Sequence, residues 1–351
     1  MTAPTPQPHH VFVTRPIADS ALRRLAQSAR VDLWDDEAPP PRRDLVARIR
    51  GCDAVLTMVS DRIDAALLRQ APRLSVVSNL AVGLDNIDLD AATRAGVAVG
   101  HTPGVLTDTT AELALALMLA AARRVVEADR FVRAGRWRMW TPHLMLGRDL
   151  SGATLGIVGF GAIGQAVARR AAAFGMRVIY AAHRSTRTLA KPSRQRPAGE
   201  AGAAPAAVAV PFAHLLAEAD FISLNAPLTP ETRGMIGRDE FRAMKRGAIL
   251  INTARGAIVD QAALVEALRS GRIGGAALDV TATEPIAPDD PLLEFPNVVI
   301  TPHIGSASFR TRQRMAELAV DNILDVFAGR RPRHCANPKV KLAPPSGRRR
   351  A

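Results

Sequence analysis

The run Leu155-Gly156-Ile157-Val158-Gly159-Phe160-Gly161-Ala162-Ile163-Gly164 decides the fold. An apolar strand ends on G-x-G-x-x-G, and the last glycine lies inside a helical pattern that continues to Phe174. Three glycines alone carry little weight in a chain rich in Gly and Ala. Placed between a strand and a helix, they form the dinucleotide fingerprint. Gly159 permits the tight turn, Gly161 lets the backbone approach a pyrophosphate, and Gly164 lets the helix pack close to the sheet. Phe160, Ala162 and Ile163 complete the loop. The helix start offers unpaired N–H groups and its positive dipole end to the phosphates. A purely structural glycine turn is the competing reading, and the strand–helix context disfavours it.

Arg177 to Tyr180 predicts the next strand. A site for NAD places Asp or Glu near its end to bind the ribose 2′-hydroxyl. Here Ala181-Ala182-His183-Arg184-Ser185 follow, without a carboxylate. Arg184 stands twenty residues past Gly164, where an arginine can accommodate a 2′-phosphate, with His183 and Ser185 beside it. The expected cofactor is NADP, with NAD possible. The bland reading of Arg184 is a solvated surface charge.

Outward from this core the alternation continues. Phe221 to Leu224, Ala248 to Asn252, Ala276 to Val280 and Val298 to Thr301 read as strands. Phe212 to Glu218 and Gln261 to Ser270 read as helices, and Lys191 to Val210 reads as an Ala/Pro/Gly-rich loop. Toward the amino end, Val11 to Thr14, Ala54 to Thr57, Leu74 to Ser78 and Val97 to Val99 are strand candidates, and Ala18 to Ala29 a helix. One long helix is expected from Thr107-Asp108, either of which could cap it, to about Arg133. A last helix, Ser306 to Ala328, carries Met315, Leu318, Ala319, Ile323, Leu324 and Phe327 on one face and would return to the first domain. The expected class is therefore α/β, with two doubly wound parallel-sheet domains and a cleft between them. Residues 1–103 and 306–333 would form the substrate domain, 104–305 the cofactor domain, and 334–351 a basic disordered tail.

Composition sets the outer bounds. The 351 residues are 48% hydrophobic but only 4% aromatic, which fits sheets of small aliphatic residues covered by helices. Cys52 and Cys335 lie far apart, in no metal-ligand spacing, and read as free thiols in a reducing compartment. No metal is expected. His9 and His10 read as part of a frayed terminus. No signal peptide is visible, and the most apolar run, Ala111 to Ala122, is shorter than the ~20 residues a membrane span needs. A cytoplasmic location without membrane contact is expected. The net charge of +13 is concentrated in Arg184 to Arg196 and Arg330 to Arg350. Zinc-finger spacing and aromatic–basic interleaving are both missing, so nucleic acid is not an expected partner. Positive potential would instead attract an anionic substrate and cofactor.

Three chemistry-bearing residues follow predicted strand ends, where doubly wound sheets bind ligands. Arg255 follows Asn252-Thr253-Ala254, Glu284 follows Asp279-Val280-Thr281-Ala282-Thr283, and His303 follows Thr301-Pro302. Each alone is weak, since a lone histidine after a strand is more often structural. Six segments in order resemble the D-isomer-specific 2-hydroxyacid dehydrogenases: Ala81 to Asp88, the glycine loop, Pro227 to Thr232, Asn252 to Gly256, Asp279 to Pro285, and Thr301 to Ser306. The resemblance runs from about Val55 to Ala328. It implies a Rossmann cofactor domain inserted in a flavodoxin-like substrate domain. It implies that Arg255 binds the substrate carboxylate and 2-keto oxygen, that His303 donates a proton to that oxygen, and that Glu284 orients the imidazole. Backbone N–H groups near Val82-Gly83 would take the other side of the carboxylate. Asp279 would fix the nicotinamide carboxamide. Thr107, Pro227, Thr232, Thr253, Ala254 and Gly305 would line the cofactor.

Some positions depart from the commonest pattern. Asn225 stands where many members have His, and Thr281-Ala282 where many have Phe-Glu. Thr281 and the segment Trp137 to Pro142 look like the glyoxylate and hydroxypyruvate reductase branch, with Trp140 a candidate substrate contact. The implied reaction is reduction of a small 2-keto acid, such as glyoxylate, hydroxypyruvate or a 2-ketogluconate-like acid, by a homodimer. Two alternatives stay open: phosphite dehydrogenase, which needs a lysine where Val82 stands, and an NAD(H)-binding corepressor-like scaffold.

Overall fold

The computed structural model describes residues 8–181 and 207–342. It divides into two units, Met1–Leu106 with Ala307–Ala351, and Thr107–Ser306. Each is a parallel sheet whose strands are short apolar runs, most of them buried along their whole length. Such runs suit strands covered by helices on both faces.

The first unit runs β1 (His9–Val13), α1 (Asp19–Ala26), β2 (Ala29–Leu33), α2 (Arg42–Ile49), β3 (Ala54–Thr57), α3 (Ala65–Arg69), β4 (Val76–Asn79), α4 (Leu89–Arg94) and β5 (Ala98–Gly100). Its strand order is β2-β1-β3-β4-β5, the flavodoxin-like order. His9 and His10 are not frayed: they open β1, and the His10 N–H donates to Asp53 Oδ2 at 2.8 Å.

The second unit runs α5 (Thr107–Ala122), α6 (Val125–Arg133), β6 (Thr154–Val158), α7 (Ala162–Ala173), β7 (Arg177–Ala181), β8 (Ala207–Ala209), α8 (Phe212–Glu218), β9 (Phe221–Leu224), α9 (Arg238–Ala243), β10 (Ile249–Asn252), α10 (Gln261–Arg269), β11 (Gly275–Leu278) and β12 (Val298–Ile300). The sheet order is β12-β11-β10-β9-β6-β7-β8, which reverses at β6 beside the glycine loop. Ligands of doubly wound sheets bind at that reversal. The final helix, α11 (Phe309–Phe327), belongs to the first unit, where Ser308 caps it and Ala316, Ala319, Val320 and Ile323 enter the core.

Three further expectations need correction. The single long helix is two helices. Arg124 adopts the left-handed conformation (φ 54°), and the Ala122 carbonyl accepts from the Arg148 N–H at 2.8 Å instead of from a next helical turn. A Cβ at Gly147 would lie 2.4 Å from that same oxygen, so glycine permits the close approach. The apolar circumference of α5 is also covered within its own unit, by α7 and by the sheet, leaving Glu112 and Ala116 as its exposed positions between Ala111 and Ala122.

The presumed loop Lys191 to Val210 contributes β8, an edge strand paired with β7. The basic tail is packed as far as the structure describes it: Asn337 and Val340 are buried, and Asn337 hydrogen-bonds the backbone of Val97 and Val99. A short polar segment is held there by β5, whose outer edge it satisfies.

Candidate active site

Parallel pairing aligns Ala181, Val158, Leu224, Asn252, Leu278 and Ile300 in one row across the second sheet. The sequence-predicted groups follow within a few residues of that row, at the carboxyl edge. Gly159 comes one residue after it, Arg255 and His303 three after it, and Glu284 six after it.

At the glycine loop, Gly159 has φ 90°, and a Cβ there would sit 2.7 Å from the Ala226 N. A Cβ at Gly164 would lie 2.2 Å from the Gly159 carbonyl oxygen. Both glycines are therefore required by packing. Gly161 differs: a Cβ there would meet nothing within 4 Å, so the space over the start of α7 is open. Gly161 caps α7 without a side-chain acceptor, leaving the first-turn N–H groups for an anion. Phe160 stacks on Tyr180 with ring centroids 3.8 Å apart.

Nearby, Asn225 Oδ1 and Thr253 Oγ1 are buried with no hydrogen-bond partner among the described residues. Orphaned polar atoms beside an open phosphate cradle fit a polar nucleotide cofactor. Thr232 has less to offer, because its hydroxyl donates to the Pro227 carbonyl and accepts from the Thr229 N–H, both within its own loop. Thr107 is the half-buried first residue of α5, and Ala254 packs partly against the core. His183, Arg184 and Ser185 lie outside the described residues.

The structure brings His303 and Glu284 together. Nδ1 of His303 is 2.7 Å from Glu284 Oε2, with both side chains about a third exposed. A carboxylate accepts there, so Nδ1 carries the hydrogen and Nε2 is left for a ligand. The other Glu284 oxygen accepts from the Thr281 N–H at 3.3 Å. A Cβ at Gly256 would fall 1.8 Å from the Thr281 carbonyl oxygen, so glycine is needed for the two loops to meet.

His303 itself sits at φ 54° in a turn built by Asp279. The buried Asp279 carboxylate accepts from Thr301 Oγ1 (2.6 Å), the Ile304 N–H (2.8 Å) and the Gly305 N–H (2.7 Å), while its carbonyl accepts from the His303 N–H. Asp279 therefore secures the histidine turn, a part that sequence reasoning missed when it assigned the residue to the nicotinamide. A Cβ at Gly305 would crowd that carboxylate at 3.1 Å.

Arg255 is positioned by Asn252, which sequence reasoning also overlooked. Asn252 Oδ1 accepts from the Ala254 N–H, and Nδ2 donates to the Arg255 carbonyl at 2.9 Å. The signal was visible: a buried amide closing the apolar run Ile249-Leu250-Ile251. The half-buried Arg255 guanidinium donates from Nη1 to the Ala254 carbonyl.

In the first unit, the loop after β4 has three consecutive carbonyls pinned. Ala81 O accepts from the Thr102 N–H (2.8 Å), Val82 O from His101 Nδ1 (3.2 Å) and Gly83 O from Asn79 Nδ2 (3.0 Å). Each trans peptide points its N–H opposite its carbonyl. The N–H groups of Val82, Gly83 and Leu84 are thus turned the other way, and they donate to no acceptor among the described residues. Successive free amides of this kind suit a carboxylate.

Trp140 is 77% exposed and Met139 70%, so neither packs locally. No group of three His, Cys, Asp or Glu among the described residues could hold a metal ion, and no helix there is long and apolar enough to cross a membrane.

Known proteins are similar to this chain in sequence and fold. The profile of the D-isomer specific 2-hydroxyacid dehydrogenase NAD binding domain matches residues 115–305. A glyoxylate reductase of Korarchaeum cryptofilum is 50% identical over 337 residues, covering 95% of this chain and 98% of its own. A crystal structure from Thermus thermophilus superposes with a TM-score of 0.84 at 50% identity, over 93% of this chain and 99% of that one. An NADPH-dependent glyoxylate/hydroxypyruvate reductase of Sinorhizobium meliloti, solved with NADP and malonate, gives a TM-score of 0.78 at 30% identity, over 96% and 99% of the two chains.

Proposed function

This chain belongs to the D-isomer-specific 2-hydroxyacid dehydrogenase family, and from that membership we propose that it reduces glyoxylate, hydroxypyruvate or a similarly small 2-keto acid to the D-2-hydroxy acid with NADPH. The observation that carries this reading is the His303–Glu284 pair, held on the turn that Asp279 secures. A bound nicotinamide supplies the hydride that adds to the keto carbon. Negative charge then grows on the keto oxygen, and His303, entering the step doubly protonated with Nδ1–H held by Glu284, gives up its Nε2 proton to neutralise it and is left as the Nδ1–H tautomer. Glu284 holds the ring so that Nε2 faces outward. Arg255 grips the substrate carboxylate and keto oxygen through its planar fork. As the family resemblance implies, the amides of Val82 and Gly83 would receive a carboxylate oxygen. A scaffold has no use for such a pair, and phosphite oxidation lacks its lysine at Val82.

The preference for NADPH rests on Arg184 and on the missing carboxylate after Tyr180. NADH remains a usable second donor. The nucleotide would lie over Gly159, Gly161 and Gly164, against Asn225 and Thr253. Cys52 and Cys335 are both free, in keeping with a cytoplasmic location.

We also read the protein as a homodimer. From Val125 to Asp149 no residue is buried, and Val125, Val132, Trp137, Met139, Trp140 and Leu146 are all exposed. An apolar surface of this kind marks an interface. A cavity of about 350 Å³ opens beside it among Ala122, Arg124, Glu127, Leu146 and Asn297. It lies at the amino edge of the sheet, opposite the reactive groups, where a second copy could fill it.

The decisive experiment is a steady-state panel of glyoxylate, hydroxypyruvate and 2-ketogluconate with NADPH and NADH. Turnover of at least one acid, faster with NADPH, is expected. No oxidation of either cofactor with any of them would overturn the reading.

A further inference from the structure

His101 joins the loop Ala81–Gly83 to the last described stretch of the chain. Its Nδ1 faces the Val82 carbonyl at 3.2 Å, and because a carbonyl can only accept, Nδ1 carries the hydrogen. Its own backbone is tied on both sides: the N–H donates to the His334 carbonyl (3.2 Å), and the carbonyl accepts from Asn322 Nδ2 (3.1 Å). The His101 and His334 rings meet edge to face at 6.5 Å.

The segment beyond His334 is anchored in turn. Cys335 bridges Gly100, Ala336 N–H donates to Val99 O at 2.7 Å, and the buried Asn337 accepts from Val99 N–H and donates to Val97 O. A Cβ at Gly100 would lie 2.5 Å from Asn322 Cγ, so this glycine lets α11 seat against the same strand. Burial keeps the His101 pKa below its ordinary value, which favours the neutral ring with one N–H.

We propose that His101 is a positioning residue for substrate, which fixes the Val82–Gly83 peptide through the Val82 carbonyl while residues 334–337 hold His101 in place. The peptide is planar, so fixing the Val82 carbonyl fixes the direction of the Gly83 N–H. Without the imidazole donor, the peptide can rotate and turn that N–H away from a carboxylate. His101 does not touch the reacting atoms. The proposal rests on the reading that this loop receives the substrate carboxylate.

The test uses the full-length enzyme with cofactor. His101→Leu fills similar space without a donor, whereas His101→Asn places an amide N–H where Nδ1 stood. His101→Leu should raise KM for glyoxylate by roughly fivefold or more, the weight of one hydrogen bond, with kcat and the KM for NADPH nearly unchanged. His101→Asn should restore most of the loss. A wild-type KM in a folded His101→Leu protein, or an equal rise in His101→Asn, would overturn the proposal.

Oxamate titrated into enzyme labelled with ¹⁵N at Val and Gly separates this from the underlying reading. If the Val82 and Gly83 amides of the wild type do not shift, the loop is not the carboxylate site, and both readings fall. If they shift with the same Kd in wild type and His101→Leu, the loop reading stands and the His101 proposal fails.

Discussion

His303 and Glu284 are nineteen residues apart in the chain, yet their side chains meet at 2.7 Å. Two loops bring them together. One leaves β11 and must pass within contact of Gly256; the other leaves β12 and is folded back by Asp279. The hydrogen bond selects the tautomer and aims Nε2. Loss of the imidazole in His303→Ala should reduce kcat by a factor on the order of 10² or more. Glu284→Ala should lower kcat by less and leave the KM for NADPH unchanged. Wild-type kcat in a folded His303→Ala enzyme would remove the residue from proton transfer.

Asp279 should matter to stability and turnover together. Asn at this position keeps one acceptor but sets an NH2 group against the N–H of Gly305 or Ile304. A buried donor left facing a donor costs about 1–3 kcal/mol. Asp279→Asn should therefore lower Tm by several degrees, roughly 2–4 °C per kcal/mol for a unit this size, and depress kcat because the His303 turn loosens. Calorimetry and steady-state kinetics check both effects; a variant normal in both would show that the turn holds without the carboxylate.

Arg255→Lys keeps the charge and loses the fork. A charge-assisted hydrogen bond contributes about 1.5–3 kcal/mol, so kcat/KM for glyoxylate should fall about tenfold or more. Wild-type kcat/KM would mean that the carboxylate is held elsewhere.

The proposed preference for NADPH rests on Arg184. Arg184→Ala should raise KM for NADPH and leave that for NADH nearly unchanged, because only NADPH carries the 2′-phosphate. An equal effect on both would return Arg184 to the solvated surface.

The exposed stretch from Val125 to Leu146 predicts the assembly. Light scattering at micromolar concentration should give about twice the 37.4 kDa of one chain. A monomer mass would reject the dimer. A Trp140→Ala protein should change its relative activity on glyoxylate and bulkier keto acids; an unchanged ratio would remove Trp140 from substrate choice.

Much of this was legible in the residues alone. Strands such as Phe221–Leu224 and Ile249–Asn252 announce themselves because a parallel strand covered on both faces must be continuously apolar. The glycine loop was legible because its glycines answer local demands: a positive φ at Gly159, a backbone contact at Gly164. Arg255, Glu284 and His303 could be named because each follows a strand end inside a segment that resembles the dehydrogenase family. The structure decided what depends on distant partners. The helix after Thr107 breaks at Arg124 because Arg148, far along the chain, claims the Ala122 carbonyl. The basic tail is packed near its start because Asn337 satisfies the edge of β5. Asp279 holds the histidine turn, and His101 the loop at Val82, through hydrogen bonds to backbone groups. Composition and periodicity report which side chains are buried; they carry no record of which backbone group a side chain will meet, since that is set when separate strands come into register.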